Sequence, residues 1–333
     1  MRLWFEKGAW ASKNASKKAV LLAPEEVKSI AVIRHAAIGD MVIVRPFIIE
    51  LKKFFPNAKI TLSIVDHYSY GAPVDLVDRV HTIYKKKDGV KTGFFDRLKQ
   101  IKELGEHDLL FNQADTSMSD WVTLLNKAKL KIGFPYHRIK NYLYFDVSIL
   151  RSDLAPEMEV LLQMLYVFGA RDTRPLDFAY PKYKVKRKDS YIVYFTSASD
   201  EGKCWPHFRG LVKKMAEAYP EHQHLMLEGI RADEKIELNE LEGMKNIAVA
   251  PALPFDDAMR FLAESSLVIS NDTGVRNMAI AIGANTLGIF FSTIPYRYWP
   301  RDGKHEVVFN ADRSIPDVKK VFTYTQEHLT KLK

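Results

Sequence analysis

Residues 268–283 have the sequence VISNDTGVRNMAIAIG. The apolar run Leu267–Ser270 predicts a buried strand, and Val275–Ile282 predicts a helix that stops at Gly283. Between them, Asp272-Thr273-Gly274 forms a tight loop. A glycine turn before a helix directs free backbone N–H groups at one point, where they can bind phosphate oxygens. The stretch therefore indicates either a phosphate site or a simpler arrangement in which Asp272 caps the helix.

The same alternation of strand and helix signals extends through most of the chain. Helical periodicity is clear in residues 47–55, where the apolar side chains fall on one face, and again in residues 158–168. This alternation predicts an α/β chain with parallel sheets, whose ligands gather beyond the carboxyl ends of the strands. The predicted strands are Ser29–Arg34, Lys59–Val65, Asp108–Asn112, Ser190–Phe195, His224–Leu227, Leu267–Ser270 and Thr286–Phe291.

The chain of 333 residues is too long for one compact core and fits two domains. A polar stretch with two prolines, residues 171–189, predicts an exposed linker. We therefore predict a first domain at residues 1–175, which includes a basic and aromatic extension at 1–28, and a second domain at 188–312. Each half opens with a strand that leads into a polar loop, which indicates a duplicated architecture.

Composition sets broad limits on the class of protein. Hydrophobic residues make up 47% and charged residues 27%, as in globular proteins, and no run approaches the roughly 20 apolar residues of a membrane helix. The first residues lack the apolar segment of a secretory signal, and a lone Cys204 excludes an intrachain disulfide, so we expect a cytoplasmic protein. The net charge of +8 favours acidic partners: nucleotides, phosphorylated lipids, nucleic acid or an anionic membrane.

A second polar loop, residues 196–208, follows the predicted strand at 190–195. Its hydroxyls and Lys203 could hold a diphosphate, with the lysine as a point charge on the leaving group. The alternative is that Lys203 is a solvated surface lysine. Trp205 and Phe208 are predicted to be core residues that anchor the following helix.

A third loop, His35-Ala-Ala-Ile-Gly-Asp40, follows the first predicted strand. A carboxylate beside a glycine at a strand end could act as general base toward a sugar hydroxyl. The alternative is that Asp40 is the N-cap of the next helix.

Several motifs occur together in an order that resembles one family. They are residues 35–46 (HAAIGDMVIVRP), 131–134 (KIGF), 203–206 (KCWP), 272–274 (DTG) and 285–300 (NTLGIFFSTIPYRYWP). Over approximately residues 28–310 the chain resembles glycosyltransferase family 9, the lipopolysaccharide heptosyltransferases. Each motif alone would be weak, and their shared order and spacing make the resemblance specific.

The resemblance implies a GT-B fold: two Rossmann-like domains that face each other across a cleft. It implies that the N-terminal domain binds the acceptor and the C-terminal domain binds an ADP-activated sugar. Residues 313–333, with Ile315–Leu332 as the candidate helix, would return toward the N-terminal domain. Such enzymes invert the anomeric carbon in one displacement, without a metal or another cofactor. The implied donor is ADP-heptose and the implied acceptor a phosphorylated glycolipid at the cytoplasmic face of the inner membrane, with no nucleic acid partner.

Site residues follow from the same resemblance. Asp40 becomes the catalytic base, with His35 and Gly39 on the acceptor side. Asp233 or Glu234 would reach the adenosine ribose. The residues expected around the donor diphosphate and sugar are Thr196, Lys203, Asp272, Thr273, Gly274, Arg276 and Asn277.

Two positions depart from the family pattern. Asn277 stands where the family usually has a histidine near the diphosphate, and Phe291 stands where a glycine is common. We expect Arg276 to supply the missing positive charge, although it could equally be a solvated helix residue. The alternative is that the donor differs from ADP-heptose and the enzyme, with the same fold, uses another nucleotide sugar. The extension is predicted to help dock the enzyme on anionic membrane, through Trp4, Phe5 and Trp10 and its basic residues; the alternative is an arm packed on its own domain.

Two rival functions come from other classes. A dinucleotide-dependent oxidoreductase is disfavoured because neither strand–helix loop contains a G-x-G-x-x-G turn. A non-catalytic basic adaptor for nucleic acid or membrane could use the lysine run at residues 85–91, but such runs are usually solvated loops.

Overall fold

The computed structural model describes residues 1–66, 69–87, 89–135, 137–181, 190–301 and 303–332. The chain splits into two compact units, Met1–Ala179 and Tyr180–Lys333. Three predicted features lie partly outside the described residues: the end of the linker at 182–189, with the predicted start of the second domain at 188; Asp88 in the lysine run; and Lys333 in the C-terminal segment.

The first unit is built on a seven-stranded sheet in the order β1-β9-β8-β7-β2-β3-β4. All neighbouring strands run parallel except the edge strand β1, which pairs antiparallel with β9. The strands are β1 (Ala9–Ala11), β2 (Ser29–Ile33), β3 (Lys59–Val65), β4 (Arg79–Ile83), the separate hairpin β5 (Lys86–Lys87) and β6 (Val90–Lys91), β7 (Leu109–Asn112), β8 (Leu130–Gly133) and β9 (Val147–Ile149).

Helices cover both faces of this sheet. The helices are α1 (Ala15–Val20), α2 (Ile38–Ile43), α3 (Arg45–Phe54), α4 (Phe94–Glu103), α5 (Ser117–Leu125), α6 (Arg138–Leu143) and α7 (Glu157–Tyr166). Right-handed crossovers place α3 on one face and α4, α5 and α6 on the other. On α3, Pro46 lies in the first turn, where its missing N–H is tolerated, and Phe47, Ile48 and Leu51 are fully buried as the apolar periodicity predicts.

The N-terminal extension is part of the first unit. Trp10 lies in β1 opposite Ser148, and the backbone N–H of Trp4 donates to the carbonyl of Val167 at 2.7 Å. Ala15 and Ala19 on α1 are fully buried. The backbone of the arm therefore packs on its own domain, while the side chains of Trp4 and Phe5 are 63% and 37% exposed, and docking of the arm on membrane stays a prediction. Among the described residues, no helix is long and apolar enough to cross a bilayer.

The second unit has a six-stranded, fully parallel sheet in the order β12-β11-β10-β13-β14-β15. Its strands are β10 (Tyr191–Phe195), β11 (Gln223–Leu227), β12 (Ile247–Ala250), β13 (Leu267–Asn271), β14 (Thr286–Ile289) and β15 (His305–Val308). Its helices are α8 (Phe208–Ala218), α9 (Phe255–Glu264), α10 (Gly274–Ala281) and α11 (Val318–Lys331).

One hydrophobic core joins this sheet to α8 and α11. Trp205 and Phe208 lie in it, 2% and 3% exposed, as the sequence predicts. The indole N–H of Trp205 donates to the carbonyl of Pro316 at 2.7 Å, just before α11 begins. Val321 and Leu329 bury the apolar side of α11 in the same core. The predicted C-terminal helix therefore exists and packs on the second unit; its approach to the first domain stays a prediction.

Candidate functional site

Both sheets change strand order at a point where two polar loops leave neighbouring strands. In the second unit, β10 pairs with β11 on one side and β13 on the other, so the order reverses between β10 and β13. In the first unit the same reversal lies between β2 and β7. Such reversals open a crevice beyond the carboxyl ends of the strands, where open α/β sheets bind ligands.

Asn271 joins the two loops of the second unit. It is fully buried at the end of β13, and its Nδ2 donates to the carbonyl of Thr196 at 2.7 Å. Its Oδ1 accepts from the backbone N–H of Trp205 at 3.0 Å. The side chain thereby fixes the loop that carries Lys203 relative to the Asp272 turn. Sequence reasoning missed this residue, although a polar side chain ending an apolar strand was the available signal.

Lys203 and Asp272 form an ion pair between the two loops. The ammonium Nζ lies 3.2 Å from Oδ2 of Asp272, and Oγ1 of Thr293 donates to the same oxygen at 2.8 Å. The side chain of Lys203 is 25% exposed and that of Asp272 only 9%. Lys203 is therefore not the solvated surface lysine of the alternative interpretation. Thr293, on the segment after β14, is a further residue that sequence reasoning missed.

Thr273, not Asp272, caps helix α10. Its backbone is extended and its Oγ1 accepts from the N–H of Val275 at 3.0 Å. The helix begins at Gly274 and ends before Gly283, whose φ of +74° is the left-handed conformation expected of a C-terminal stop. Since the cap is Thr273, the carboxylate of Asp272 is available to hold Lys203. The first turn of α10 also presents the N–H groups and the positive dipole end that attract an anion.

Arg276 is a buried residue of helix α10. It is 1% exposed, its Nη1 donates to the carbonyl of Tyr298, and its Nη2 lies 3.5 Å from the carbonyl of Glu306. Burial lowers its pKa to about 10, which leaves the guanidinium charged at neutral pH. The alternative of a solvated helix residue is therefore wrong, while contact of Arg276 with a diphosphate stays a prediction. The side chain points into the packing around Phe290, 5.4 Å from its ring centroid.

The other three donor-side candidates differ in accessibility. Asn277 is 7% exposed in the first turn of α10, where its N–H approaches the carbonyl of Thr273. Glu234 accepts from the backbone N–H of Arg231 at 3.0 Å and is 9% exposed, so it stabilises a turn. Asp233 keeps a 70% exposed side chain and pairs with Arg231 at 3.1 Å. Of the two carboxylates proposed for ribose, Asp233 is the accessible one.

In the first unit, Asp40 is the third residue of α2 and is held by Arg34. Ala37 is the N-cap of α2, which excludes the cap interpretation of Asp40. Arg34 directly follows β2, its side chain is 3% exposed, and its Nη2 donates to Oδ1 of Asp40 at 2.8 Å. The Asp40 side chain is 27% exposed. The carboxylate is therefore oriented from the protein side and reachable from solvent.

Arg34 is itself fixed by further polar groups. Its Nη1 donates to the carbonyl of Gln113, which follows β7, at 2.7 Å. Its Nη2 also lies 3.5 Å from Oε1 of Glu157, a fully buried carboxylate that pairs with Arg151 at 2.5 Å. Sequence reasoning missed Arg34 and Glu157; an arginine closing an apolar strand was the one visible signal for the first.

His35 and Gly39 are both buried, and their place on the acceptor side stays a prediction. His35 is 5% exposed, and its Nε2 lies 3.2 Å from Oγ of Ser63, which in turn lies 3.0 Å from Nδ1 of His81. This chain of polar contacts runs within the sheet. Gly39 is buried in the first turn of α2. Of these loop residues, Asp40 has the accessible side chain, whereas the His35 side chain makes its contact inside the fold.

Comparison with known proteins identifies the family. The sequence profile of glycosyltransferase family 9 (heptosyltransferase) matches residues 97–328, more than half of the chain. The chain belongs to glycosyltransferase family 9. As a family 9 glycosyltransferase it is an enzyme, and the oxidoreductase alternative is not favoured.

Relatives of this glycosyltransferase are distant in sequence and similar in fold. It is 24% identical over 292 residues to lipopolysaccharide heptosyltransferase 3 of Escherichia coli, covering 78% of this chain and 83% of the relative. It is 23% identical over 305 residues to the lipopolysaccharide core heptosyltransferase OpsX of Haemophilus influenzae, covering 86% of each. The solved E. coli heptosyltransferase WaaC with ADP-2-deoxy-2-fluoro heptose superposes with a TM-score of 0.69 at 16% identity, over 90% of this chain and 99% of that one. These likenesses confirm the predicted GT-B fold.

Proposed function

We propose that this glycosyltransferase transfers heptose from ADP-heptose to a lipopolysaccharide core acceptor, with inversion at the anomeric carbon. The observation that carries the proposal is the Lys203–Asp272 pair beside the capped N-terminus of α10, at the point where the sheet order reverses. The match to the heptosyltransferase family and the heptosyltransferase relatives support the choice of sugar.

The donor arrangement is suited to a nucleoside diphosphate leaving group. One of the three N–H donors of the Lys203 ammonium is used on Asp272, and an ammonium bound to a carboxylate can also bind a phosphate oxygen. Hydroxyl and backbone groups are present at the same carboxyl ends of β10 and β13, from Thr196, Thr273 and Gly274. Fixed positive charge and backbone N–H groups stabilise the negative charge that develops on the diphosphate as the bond breaks. We assign this stabilisation to the protein, with no metal.

The acceptor step is assigned to Asp40. The acceptor oxygen attacks C1 of heptose, the bond from C1 to the β-phosphate oxygen breaks, and ADP leaves with the electron pair while the acceptor proton passes to Asp40. A carboxylate is a weak base, so proton transfer must accompany bond formation rather than precede it. Arg34 orients the carboxylate at 2.8 Å and leaves its outer side accessible.

The remaining partners follow from the same function. Asp233 is the proposed contact to the adenosine ribose, and Asn277 remains a candidate near the donor. The acceptor is proposed to be a phosphorylated glycolipid, bound by the first unit, and the net charge of +8 favours such an anionic substrate. We place the enzyme at the cytoplasmic face of the inner membrane, in peripheral contact with anionic lipid.

Lys203→Ala tests the donor site. We expect the variant to bind ADP and ADP-heptose about tenfold to a hundredfold more weakly in calorimetry, since a hydrogen bond to a charged group contributes about 1.5–3 kcal/mol. Turnover should fall as well, because the charge acts in both the ground and transition states.

Lys213→Ala is the matched control, since Lys213 is an exposed lysine of the neighbouring helix α8. It should bind and turn over ADP-heptose like the parent protein. Parental ADP affinity and kinetics in Lys203→Ala would remove Lys203 from the donor site.

A further inference from the structure

Exposed hydrophobic side chains are distributed unevenly between the two units. Of the 22 large hydrophobic residues that are exposed in the described part of the chain, 18 lie in Met1–Ala179 and four in Tyr180–Lys333. The units are of comparable length, so size does not explain the difference. Where such side chains form a contiguous patch, they usually mark an interaction site.

Eight of these residues belong to the helix layer formed by α4, α5 and α6 on one face of the first sheet. Phe95 is 82% exposed, Tyr142 74% and Trp121 51%. We call this the α4–α6 surface, and its exposed apolar members are Phe94, Phe95, Trp121, Leu124, Leu125, Ile139, Tyr142 and Leu143.

The three helices are linked to one another. Helix α4 packs against α5. Nζ of Lys140 on α6 lies 3.1 Å from Oδ2 of Asp120 on α5 and 3.2 Å from Oδ1 of Asp115 just before α5. These ion pairs link α6 to α5. Tyr142 makes an edge-to-face contact with Trp10 on β1, with ring centroids 5.3 Å apart.

The exposed apolar residues of the α4–α6 surface are not part of the hydrophobic core of the first unit. The core beneath α4 and α5 is filled by other side chains of the same helices, among them Ile101, Leu104 and Val122, which meet Ala31 and Ile33 of the sheet. The exposed phenylalanines at the start of α4 therefore do not serve the packing of the sheet. Their exposure needs another explanation.

The same part of the chain carries most of the net positive charge. Residues 79–145 contain 13 Lys and Arg against seven Asp and Glu, a net charge of +6 out of +8 for the whole chain. On α4, Lys99 and Lys102 line a shallow hollow of about 590 Å³ together with Phe95, Leu98 and one acidic residue, Glu103. Aromatic and aliphatic side chains are thus interspersed with exposed lysines on one helix face.

We propose that the α4–α6 surface docks the enzyme on an anionic phospholipid bilayer. Its apolar side chains enter the interface while its lysines meet the lipid phosphates, which is the combination that interfacial helices use. A second copy of the chain is a poor occupant, because two surfaces of the same net positive charge repel each other. The inference rests on the proposed function, since an enzyme that acts on a glycolipid must meet the membrane that holds it.

Vesicle co-sedimentation tests the proposal. The full-length protein is mixed with vesicles of phosphatidylglycerol and phosphatidylcholine, or of phosphatidylcholine alone. The variants are Phe94→Ser with Phe95→Ser, and Lys99→Gln with Lys102→Gln. The matched control is Ile230→Ser with Ile315→Ser, which removes two exposed aliphatic side chains from the second unit.

We expect the parent protein to bind only the anionic vesicles. Each lysine near an anionic surface accounts for roughly a fivefold gain in partitioning, so the double lysine variant should bind about 25-fold more weakly. The double phenylalanine variant should bind at least about tenfold more weakly than the parent. The control should bind like the parent.

Equal binding of the parent and both surface variants, or absence of binding by the parent, would overturn the proposal. A shift in oligomeric state of the variants in size-exclusion chromatography, without a change in vesicle binding, would assign the surface to a second copy and also overturn it. Turnover of ADP-heptose with a delipidated, water-soluble core acceptor is measured beside it. All variants should retain that turnover, so failure of docking and failure of the proposed function are separate results.

Discussion

At the residue scale, the first unit holds one accessible carboxylate in a fixed orientation. Arg34 reaches Asp40 from within the fold and is anchored on the carbonyl of Gln113 and the carboxylate of Glu157. Because the guanidinium of Arg34 is nearly buried, its position is set by its protein partners and not by contacts with solvent. Asp40 is thereby oriented without being enclosed, as a general base must be to meet a substrate hydroxyl.

Asp40→Asn should abolish most transfer while leaving donor affinity within a few-fold of the parent. Loss of a general base lowers turnover by about a hundredfold to ten-thousandfold, and the amide keeps the shape of the side chain. Steady-state kinetics and ADP calorimetry measure the two effects.

The matched control is Asp256→Asn, an exposed acid in the first turn of α9 as Asp40 is in the first turn of α2. It should turn over at the parental rate. Near-parental turnover by Asp40→Asn would remove Asp40 from the base role.

What the sequence could predict at this scale was the loop, not the direction of each side chain. Lys203 and Asp272 were both expected near the diphosphate because both follow strands, and the structure joins them in one ion pair. Arg276 and His35 lie in the same loops or helix, yet both are buried. Helical spacing and strand ends do not reveal burial of a polar residue whose partners, such as Tyr298 and Ser63, are distant in sequence.

At the element scale, Arg276 fastens helix α10 to the segments around β14 and β15. Its guanidinium nitrogens reach the carbonyls of Tyr298 and Glu306, and its stem passes over Gly288 in β14. The segment between β14 and Tyr298 carries Thr293, which holds Asp272. The buried arginine thus contributes to the donor site through the elements it connects.

Gly288→Ala tests this connection without removing the arginine. An added Cβ would lie 2.4 Å from Nε of Arg276, so the side chain or strand must shift. We expect the variant to be about 1–3 kcal/mol less stable than the parent. We also expect its Michaelis constant for the donor to rise more than its Michaelis constant for the acceptor.

Gly210→Ala on α8 is the control, since its Cβ would be 3.4 Å from the nearest atom, a Val318 methyl. Alanine within a helix should leave stability equal or raise it by up to about 1 kcal/mol. If Gly288→Ala is as stable as the parent and has unchanged donor kinetics, Arg276 does not organise this region.

The strands that the sequence predicted are the central ones. All seven are present, with ends that differ by at most two residues, because central parallel strands are continuous apolar runs. The strands it missed are the edges β1, β4, β12 and β15, the separate hairpin of β5 and β6, and two short strands inside the first sheet, the four-residue β8 and the three-residue β9. Edge strands such as Arg79–Ile83 and His305–Val308 contain polar residues, and so lack that signal.

At the scale of the whole molecule, two parallel sheets of the same kind each present polar loops where the strand order reverses. The duplicated rhythm of strands and helices in the sequence predicts this, and the fold of solved heptosyltransferases agrees with it. The division between units falls between Ala179 and Tyr180. The assignment of acceptor to the first unit and donor to the second stays a proposal.

Stability should decline as the pH falls below about 6.5. His81, His107, His224 and His328 are buried, and burial lowers the pKa of each from the usual value of 6.5. Below 6.5 the unfolded chain therefore binds more protons at these sites than the folded protein does. Protonation then favours unfolding, by up to about 1.4 kcal/mol per pH unit for each histidine.

Urea unfolding at pH 8, 7, 6 and 5.5 measures this dependence. His224→Gln should have a shallower slope than the parent between pH 7 and 5.5, whatever its absolute stability. Stability that is constant or rises over that interval would contradict the proposed cost of protonating these buried histidines.

Single-turnover transfer by the purified enzyme tests the central claim most directly. ADP-heptose, a UDP-sugar and a GDP-sugar are each offered with a lipopolysaccharide core acceptor, and the product is analysed by mass spectrometry and by NMR of the new anomeric centre. We predict heptosylated acceptor and ADP in equal amounts, with an inverted anomeric configuration, from ADP-heptose alone. Transfer from another sugar nucleotide while ADP-heptose remains unconsumed would contradict the assignment of heptose.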